Sequence, residues 1–121
     1  MKRALIIEDQ RPVRESLGEL LKIAGFEVRL MGDGNAALRE ALLTRYDLLT
    51  VDLNMPSLDG LSLIESLVSS DGPNRQTPIV VISAYLSPET EDTLREHGVI
   101  DCLSKPFEAE RLLDLVKNAV E

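Results

Sequence analysis

The chain is short of the residues that staple or specialise a small domain. Among its 121 residues are one cysteine, Cys102, one histidine, His97, no tryptophan, two tyrosines and two phenylalanines. A single cysteine cannot close an internal disulfide, and a single histidine leaves no Cys/His set of zinc-site spacing. Disulfide scaffolds and zinc modules are excluded. No apolar run approaches the ~18 residues a membrane span requires, and the N-terminus lacks the long apolar stretch of a cleavable signal. Positive charge is scarce too: 13 Lys and Arg face 21 Asp and Glu, a formal net charge of -8. A polyanion repels such a surface, which argues against direct binding of nucleic acid or an anionic membrane. A soluble, cytoplasmic protein is expected.

What the chain does have is material for one core. Apolar residues make up 44% of it, and a length below ~150 predicts a single domain, over residues 1–121, burying about two thirds of its unfolded surface. Two kinds of apolar segment alternate. Ala4 to Ile7, Phe26 to Met31, Leu48 to Val51 and Ile79 to Ile82 are short, near-continuous runs, with Val99 to Leu103 a weaker fifth. Such runs suit strands of a parallel sheet covered on both faces.

Between them lie stripes of period near 3.6. The first is Val13, Leu17, Leu20, Leu21 and Ala24, with Pro12 at a first helical position and Gly25 as the stop. Ala37, Ala41 and Leu42 mark a second helix opening near Asp33, and Leu61, Ile64, Leu67 and Val68 a third. Ser87, Pro88 and Glu89 open a fourth, which Gly98 closes. The last carries Leu112, Leu113, Val116 and Val120, with Glu108 and Glu110 at its start and Lys117 near its end, the order the helix dipole favours. Strands alternating with helices predict an α/β fold: a doubly wound five-stranded parallel sheet with five helices. The common flavodoxin-like strand order is 2-1-3-4-5, which the pattern by itself leaves open.

Ligands of such sheets sit beyond the carboxyl ends of the strands. The first run ends in Glu8 and Asp9, the third in Asp52, the fourth in Ser83, and the fifth reaches Ser104 and Lys105. In the order 2-1-3-4-5 these strands are neighbours, and their ends bring three carboxylates, a hydroxyl and an ammonium around one crevice. A surplus of about two negative charges there calls for protonation, dispersal or a cation. Oxygen ligands with waters suit magnesium, with Asp9 and Asp52 as direct ligands and Glu8 acting through water. Taken singly, acids after strands cap helices, and Asp9 before Pro12 is placed to do so. The same crevice suits a phosphoryl group: Asp52, alone after the central strand, is the nucleophile that forms an aspartyl phosphate, Lys105 offsets oxygen charge, and Ser83 donates a hydrogen bond.

The blocks ALIIEDQ at 4–10, LLTVDLNMPSLDG at 48–60, PIVVISAY at 78–85 and DCLSKPF at 101–107 resemble the receiver domain of bacterial two-component response regulators, across essentially the whole chain. The resemblance implies that Asp52 accepts a phosphoryl group from the phosphohistidine of a sensor histidine kinase or phosphotransfer protein. It implies that Glu8 and Asp9 hold Mg2+ with Asp52 and the backbone carbonyl of Asn54. Ser83 then follows the phosphoryl group after transfer, Lys105 is the family's lysine, and Lys105-Pro106 is cis. Ala84 keeps the acyl phosphate accessible, and Gly60 begins the helix after the acceptor loop. The implied role is a phosphorylation-controlled switch acting on a downstream output domain or target protein, in a stand-alone receiver or the receiver part of a longer regulator. Homodimerisation through the fourth helix, fifth strand and fifth helix is common in the family.

Two features depart from that pattern or stand out within it. Three residues before the lysine, where the family has tyrosine or phenylalanine, stands Cys102, which cannot make a large ring rotation and reads as a small buried strand residue. The signal would then run through Ser83, the following loop and the fourth helix, which holds one large aliphatic, Leu94, among acids and Arg95 and should be loosely held. His97 reads as a surface or helix-end residue, and Asn54 and Tyr85 are placed to influence water access or pack the rim. The rival class is a magnesium-dependent phosphohydrolase or phosphotransferase turning over on Asp52; the general acid and substrate cap it needs are not evident. A flavin or nucleotide module is disfavoured because EDQRPVR at 8–14 has no glycine-rich phosphate loop.

Overall fold

A computed structural model describes residues 1–120. In chain order the elements are β1 (Arg3–Ile7), α1 (Arg11–Ile23), β2 (Glu27–Met31), α2 (Gly34–Leu43), β3 (Leu48–Val51), α3 (Gly60–Ser69), β4 (Ile79–Ser83), α4 (Pro88–Glu96), β5 (Asp101–Ser104) and α5 (Ala109–Ala119). The strands form one parallel sheet in the order β2-β1-β3-β4-β5. That is the expected flavodoxin-like order.

Period-2 alternation divides the core. Ala4, Ile6, Leu48, Val80 and Ile82 face one side of the sheet, where Leu17 and Leu21 of α1 and Leu112 and Val116 of α5 cover them. Leu5, Ile7, Leu49, Val51 and Val81 face the other, under Ala37 and Ala41 of α2, Leu63, Ile64 and Leu67 of α3, and Leu94 of α4. The central strands are buried on both faces. β2 lies at the sheet margin, the place the order 2-1-3-4-5 gives it, and because it pairs with β1 alone Glu27, Arg29 and Leu30 are exposed.

Two strands start later than their apolar runs. Phe26 precedes β2 and Val99 precedes β5, because each belongs to the terminator of the preceding helix. Gly25 (φ 96°) and Gly98 (φ 90°) adopt the left-handed conformation. Gly25 N–H bonds Lys22 O and Phe26 N–H bonds Leu21 O; Gly98 N–H bonds Arg95 O and Val99 N–H bonds Leu94 O. These are Schellman caps, in which an apolar residue after the glycine packs against the last helical turn. Phe26 and Val99 are accordingly buried, each in the same cluster as the leucine it bonds.

At the helix starts, Asp33, Asp59 and Ser87 accept from the N–H of Ala36, Ser62 and Thr90. α1 begins at Arg11, so Pro12 is its second residue, and Gln10 occupies the cap position without a side-chain bond. Asp9 is thus left free of capping duty. Leu94 is the one buried residue of α4, so this helix has the least apolar anchorage to its sheet face. We expect amide hydrogen exchange to show α4 markedly less protected than α1; equal protection factors in the two helices would contradict the weak anchorage.

Candidate functional site

The carboxyl ends of β1, β3, β4 and β5 meet at one rim, and the acids that follow β1 and β3 turn inward together. One carboxylate oxygen from each of Glu8, Asp9 and Asp52 lies within 4.8 Å of the other two. Glu8 and Asp52 are almost fully buried, at 1% and 4% exposure. Lys105, reaching in from beyond β5, places Nζ 2.7 Å from Glu8 Oε1 and 3.5 Å from Asp52 Oδ2. The Lys105-Pro106 bond at this corner is cis, and Lys105 N–H bonds Ser83 O at 2.9 Å.

The remaining contacts fix the acids from below. Gln10 N–H donates to Glu8 Oε2 at 3.1 Å, and Asn54 N–H donates to Asp52 Oδ1 at 3.1 Å. Ser83 is fully buried, and its Oγ accepts from Asn54 Nδ2 at 2.7 Å and, at 3.5 Å, from Tyr85 N–H. Asn54 therefore spans from the Asp52 carboxylate to the hydroxyl, while the Tyr85 ring is exposed at the rim. Ser104, the polar residue before Lys105, is exposed.

The charge balance is unfavourable as it stands. Burial pushes the Glu8 carboxyl above its ordinary range, with Asp52 adding to the rise; Lys105 and the Gln10 N–H oppose it. A carboxyl raised in this way resists ionising, so at pH values above its raised pKa the charged form costs stability that a cation would return. Asp9 Oδ1 is buried with no hydrogen-bond partner. An orphaned carboxylate oxygen facing two other carboxylates is the donor set of a hard divalent ion, so the residues present fit a metal.

Sequence reasoning brought together Glu8, Asp9, Asp52, Asn54, Ser83 and Lys105, and all six meet here. It missed Arg14. From the first turns of α1 its Nη1 donates to Glu8 O at 2.9 Å and Asp9 O at 3.2 Å. The available signal was weak: an arginine five residues after the acids, on a helix whose start was placed one residue late. Gly60 also does more than start a helix, since a Cβ there would lie 2.5 Å from Asp52 O.

Cys102 is 7% exposed in β5. Its thiol is pushed up to about 11, mainly by burial and further by Glu91, with Arg95 opposing. His97 ends α4 half-buried, with Nε2 3.6 Å from Glu65 Oε1 of α3.

With this geometry in view, the known proteins it matches can be set beside it. Residues 4–117 match the response regulator receiver domain family, and the chain belongs to that family. The transcriptional regulatory protein PrrA of Mycobacterium leprae is 39% identical over 115 residues, which are 95% of this chain and 48% of PrrA. The chain thus spans about half the length of that relative. The chemotaxis protein CheY4 of Vibrio cholerae superposes with a TM-score of 0.89 at 29% identity, covering 98% of each chain. The receiver domain of the sensor histidine kinase PA1611 from Pseudomonas aeruginosa, 29% identical with a TM-score of 0.84 over 98% of this chain and 97% of that one, carries a magnesium ion in its active-site cleft. The fold, the acidic cluster and the family agree: this is a signalling receiver domain with a cluster able to bind a metal. Among the described residues no helix is long and apolar enough to cross a membrane.

A pKa near 11 leaves about one Cys102 thiol in a thousand as thiolate at pH 8. Iodoacetamide at that pH should modify the folded chain far more slowly than the urea-unfolded chain, and equal rates would show the thiol to be neither buried nor raised.

Proposed function

We propose that residues 1–121 act as one receiver unit in which Asp52 accepts a phosphoryl group from the phosphohistidine of a sensor histidine kinase or phosphotransfer protein. A carboxylate oxygen of Asp52 bonds to phosphorus as the phosphorus–nitrogen bond of the donor breaks, and the released imidazole takes up a proton. The observation that carries this reading is the placement of Asp52: buried, touched by the Lys105 ammonium, and clustered with two further carboxylates. Such a group is an anion whose charge is useful only if something arrives to share it.

Glu8, Asp9, Asp52 and the backbone carbonyl of Asn54 are the groups that would hold Mg2+. Magnesium at that point supplies charge neutralisation to the phosphoryl oxygens during transfer. Lys105 offers its ammonium to another of those oxygens, exchanging a carboxylate partner for a phosphoryl one. Among the described residues Ser83 Oγ only accepts, from Asn54 Nδ2 and Tyr85 N–H, so its own proton is the donor for a third oxygen. Beside the site, Gln10, Pro12, Val13, Ala84, Lys105 and Phe107 help line an open cavity of about 520 Å³ through which a donor can approach.

The output follows from population shift: once Ser83 bonds the phosphoryl group, the β4–α4 loop that carries Ala84 and Tyr85 has a new partner, and α4 is the element least able to resist. A downstream output domain or target protein would read that face, and α4, β5 and α5 offer the surface for homodimerisation. The net charge of -8 supports a protein partner over nucleic acid, in a cytoplasmic setting. The rival, a magnesium-dependent phosphohydrolase or phosphotransferase, is disfavoured by the family.

Incubation with acetyl phosphate and intact mass measurement tests the reaction. One added phosphoryl group is expected, dependent on magnesium and absent in Asp52→Asn; label persisting in that variant would move the nucleophile elsewhere. Lys105→Met should bind magnesium at least as tightly as wild type in a calorimetric titration, since it removes a cation from the site, while the labelled variant fails to show the spectral changes around α4 that labelled wild type shows. Loss of magnesium affinity in Lys105→Met would reassign the lysine to metal binding.

A further inference from the structure

Among the described residues the Arg14 guanidinium makes no ion pair with a carboxylate. It is directed instead at two backbone carbonyls, those of Glu8 and Asp9. Hydrogen bonds from a charged donor are stronger than neutral ones, and here two come from one nitrogen to successive peptides. Successive carbonyls held to one point fix the twist of the β1–α1 loop, and with it the directions in which the two side chains leave the backbone.

The opposite wall of the guanidinium's position is Gly32. Its φ is not in the left-handed region, so the backbone there does not require glycine. The space does: a Cβ on residue 32 would lie 2.5 Å from Arg14 Nη1 and 3.2 Å from Cζ. The β2–α2 loop thus leaves open the volume that the guanidinium occupies beneath the acidic pair.

From these two observations we infer that Arg14 is a positioning residue for the metal site, aiming the Glu8 and Asp9 carboxylates through their backbone carbonyls, and that Gly32 is the clearance that admits it. The inference rests on reading Glu8, Asp9 and Asp52 as the magnesium site. Its direction is opposite to what charge alone gives. A cation near the site weakens magnesium by repulsion, so removing it would tighten binding; a clamp on the acids does the reverse.

Gly32→Ala separates the two effects. The clash it creates is with the far end of a flexible side chain, so the fold is kept and the positive charge remains, but the guanidinium must leave the carbonyls. Magnesium titrated by calorimetry into Arg14→Met, Gly32→Ala, the double variant and Arg14→Lys, with Arg11→Met as a surface control, reads this out. Partners that orient metal ligands typically contribute ~10–100-fold in affinity. Arg14→Met and Gly32→Ala should each weaken magnesium by about tenfold or more, Arg14→Lys should recover part of the loss, and Arg11→Met should match wild type. The double variant should bind no more weakly than Arg14→Met alone, because Gly32 acts only through the arginine.

Unchanged or tighter binding in Arg14→Met overturns the inference, as does a double variant whose losses add. A lowered urea midpoint with unchanged affinity in the folded variants also overturns it, since that is the result for a purely structural arginine. If wild type takes up no magnesium while the variants fold normally, the metal site itself falls and the inference with it.

Discussion

Like charges held together in a nearly dry pocket govern this molecule. Three carboxylates share a space a few ångströms wide with one ammonium, and two of the three are cut off from water. Nothing about folding alone favours this, because each ionised group loses hydration that a single lysine returns only in part. The sheet imposes it. β1 and β3 are adjacent central strands whose burial on both faces locks their register, so Glu8 and Asp52, the residues just past their ends, have no way to separate. The site is a place where the fold holds an unfavourable electrostatic arrangement by means of apolar packing beneath it.

Much of this was legible in the order of residues, for physical reasons that differ between features. The central strands showed themselves because burial on both faces forbids polar residues, and the acids after them showed themselves because a parallel sheet sends every strand's end to the same rim. The starts of β2 and β5 were misread, since Phe26 and Val99 are apolar for the sake of a helix cap and not of a strand. The run of β2 resembles those of the buried strands, and its exposed residues follow from the edge place that the order 2-1-3-4-5 gives it. Asp9 could not be separated from a helix cap until Gln10 was seen in the cap position. Arg14 was missed because its contacts are to carbonyls, and every residue in the chain carries one.

Cys102 brings a small side chain to the face between β5 and α4. It is buried in β5, beside α4, and its neutral thiol occupies little volume. On that face α4 itself rests on Leu94. At the far end of α4, His97 Nε2 lies 3.6 Å from Glu65 Oε1 of α3. The helix is therefore anchored at one apolar point, with its exposed surface rich in acids.

The loop that follows Asp52 is held quite differently. On one side Gly60 brings α3 so near that an added methyl group would collide with the carbonyl of Asp52 itself. On the other, Gly34 N–H bonds Ser57 Oγ and Asn35 Nδ2 bonds Ser57 O, pinning the loop to the start of α2. Compliance in this domain is one-sided. A load arising at Asp52 meets a stiff abutment toward α2 and α3 and a soft one toward α4, so the asymmetry of the supports, more than any wire of contacts, chooses the direction in which the domain yields.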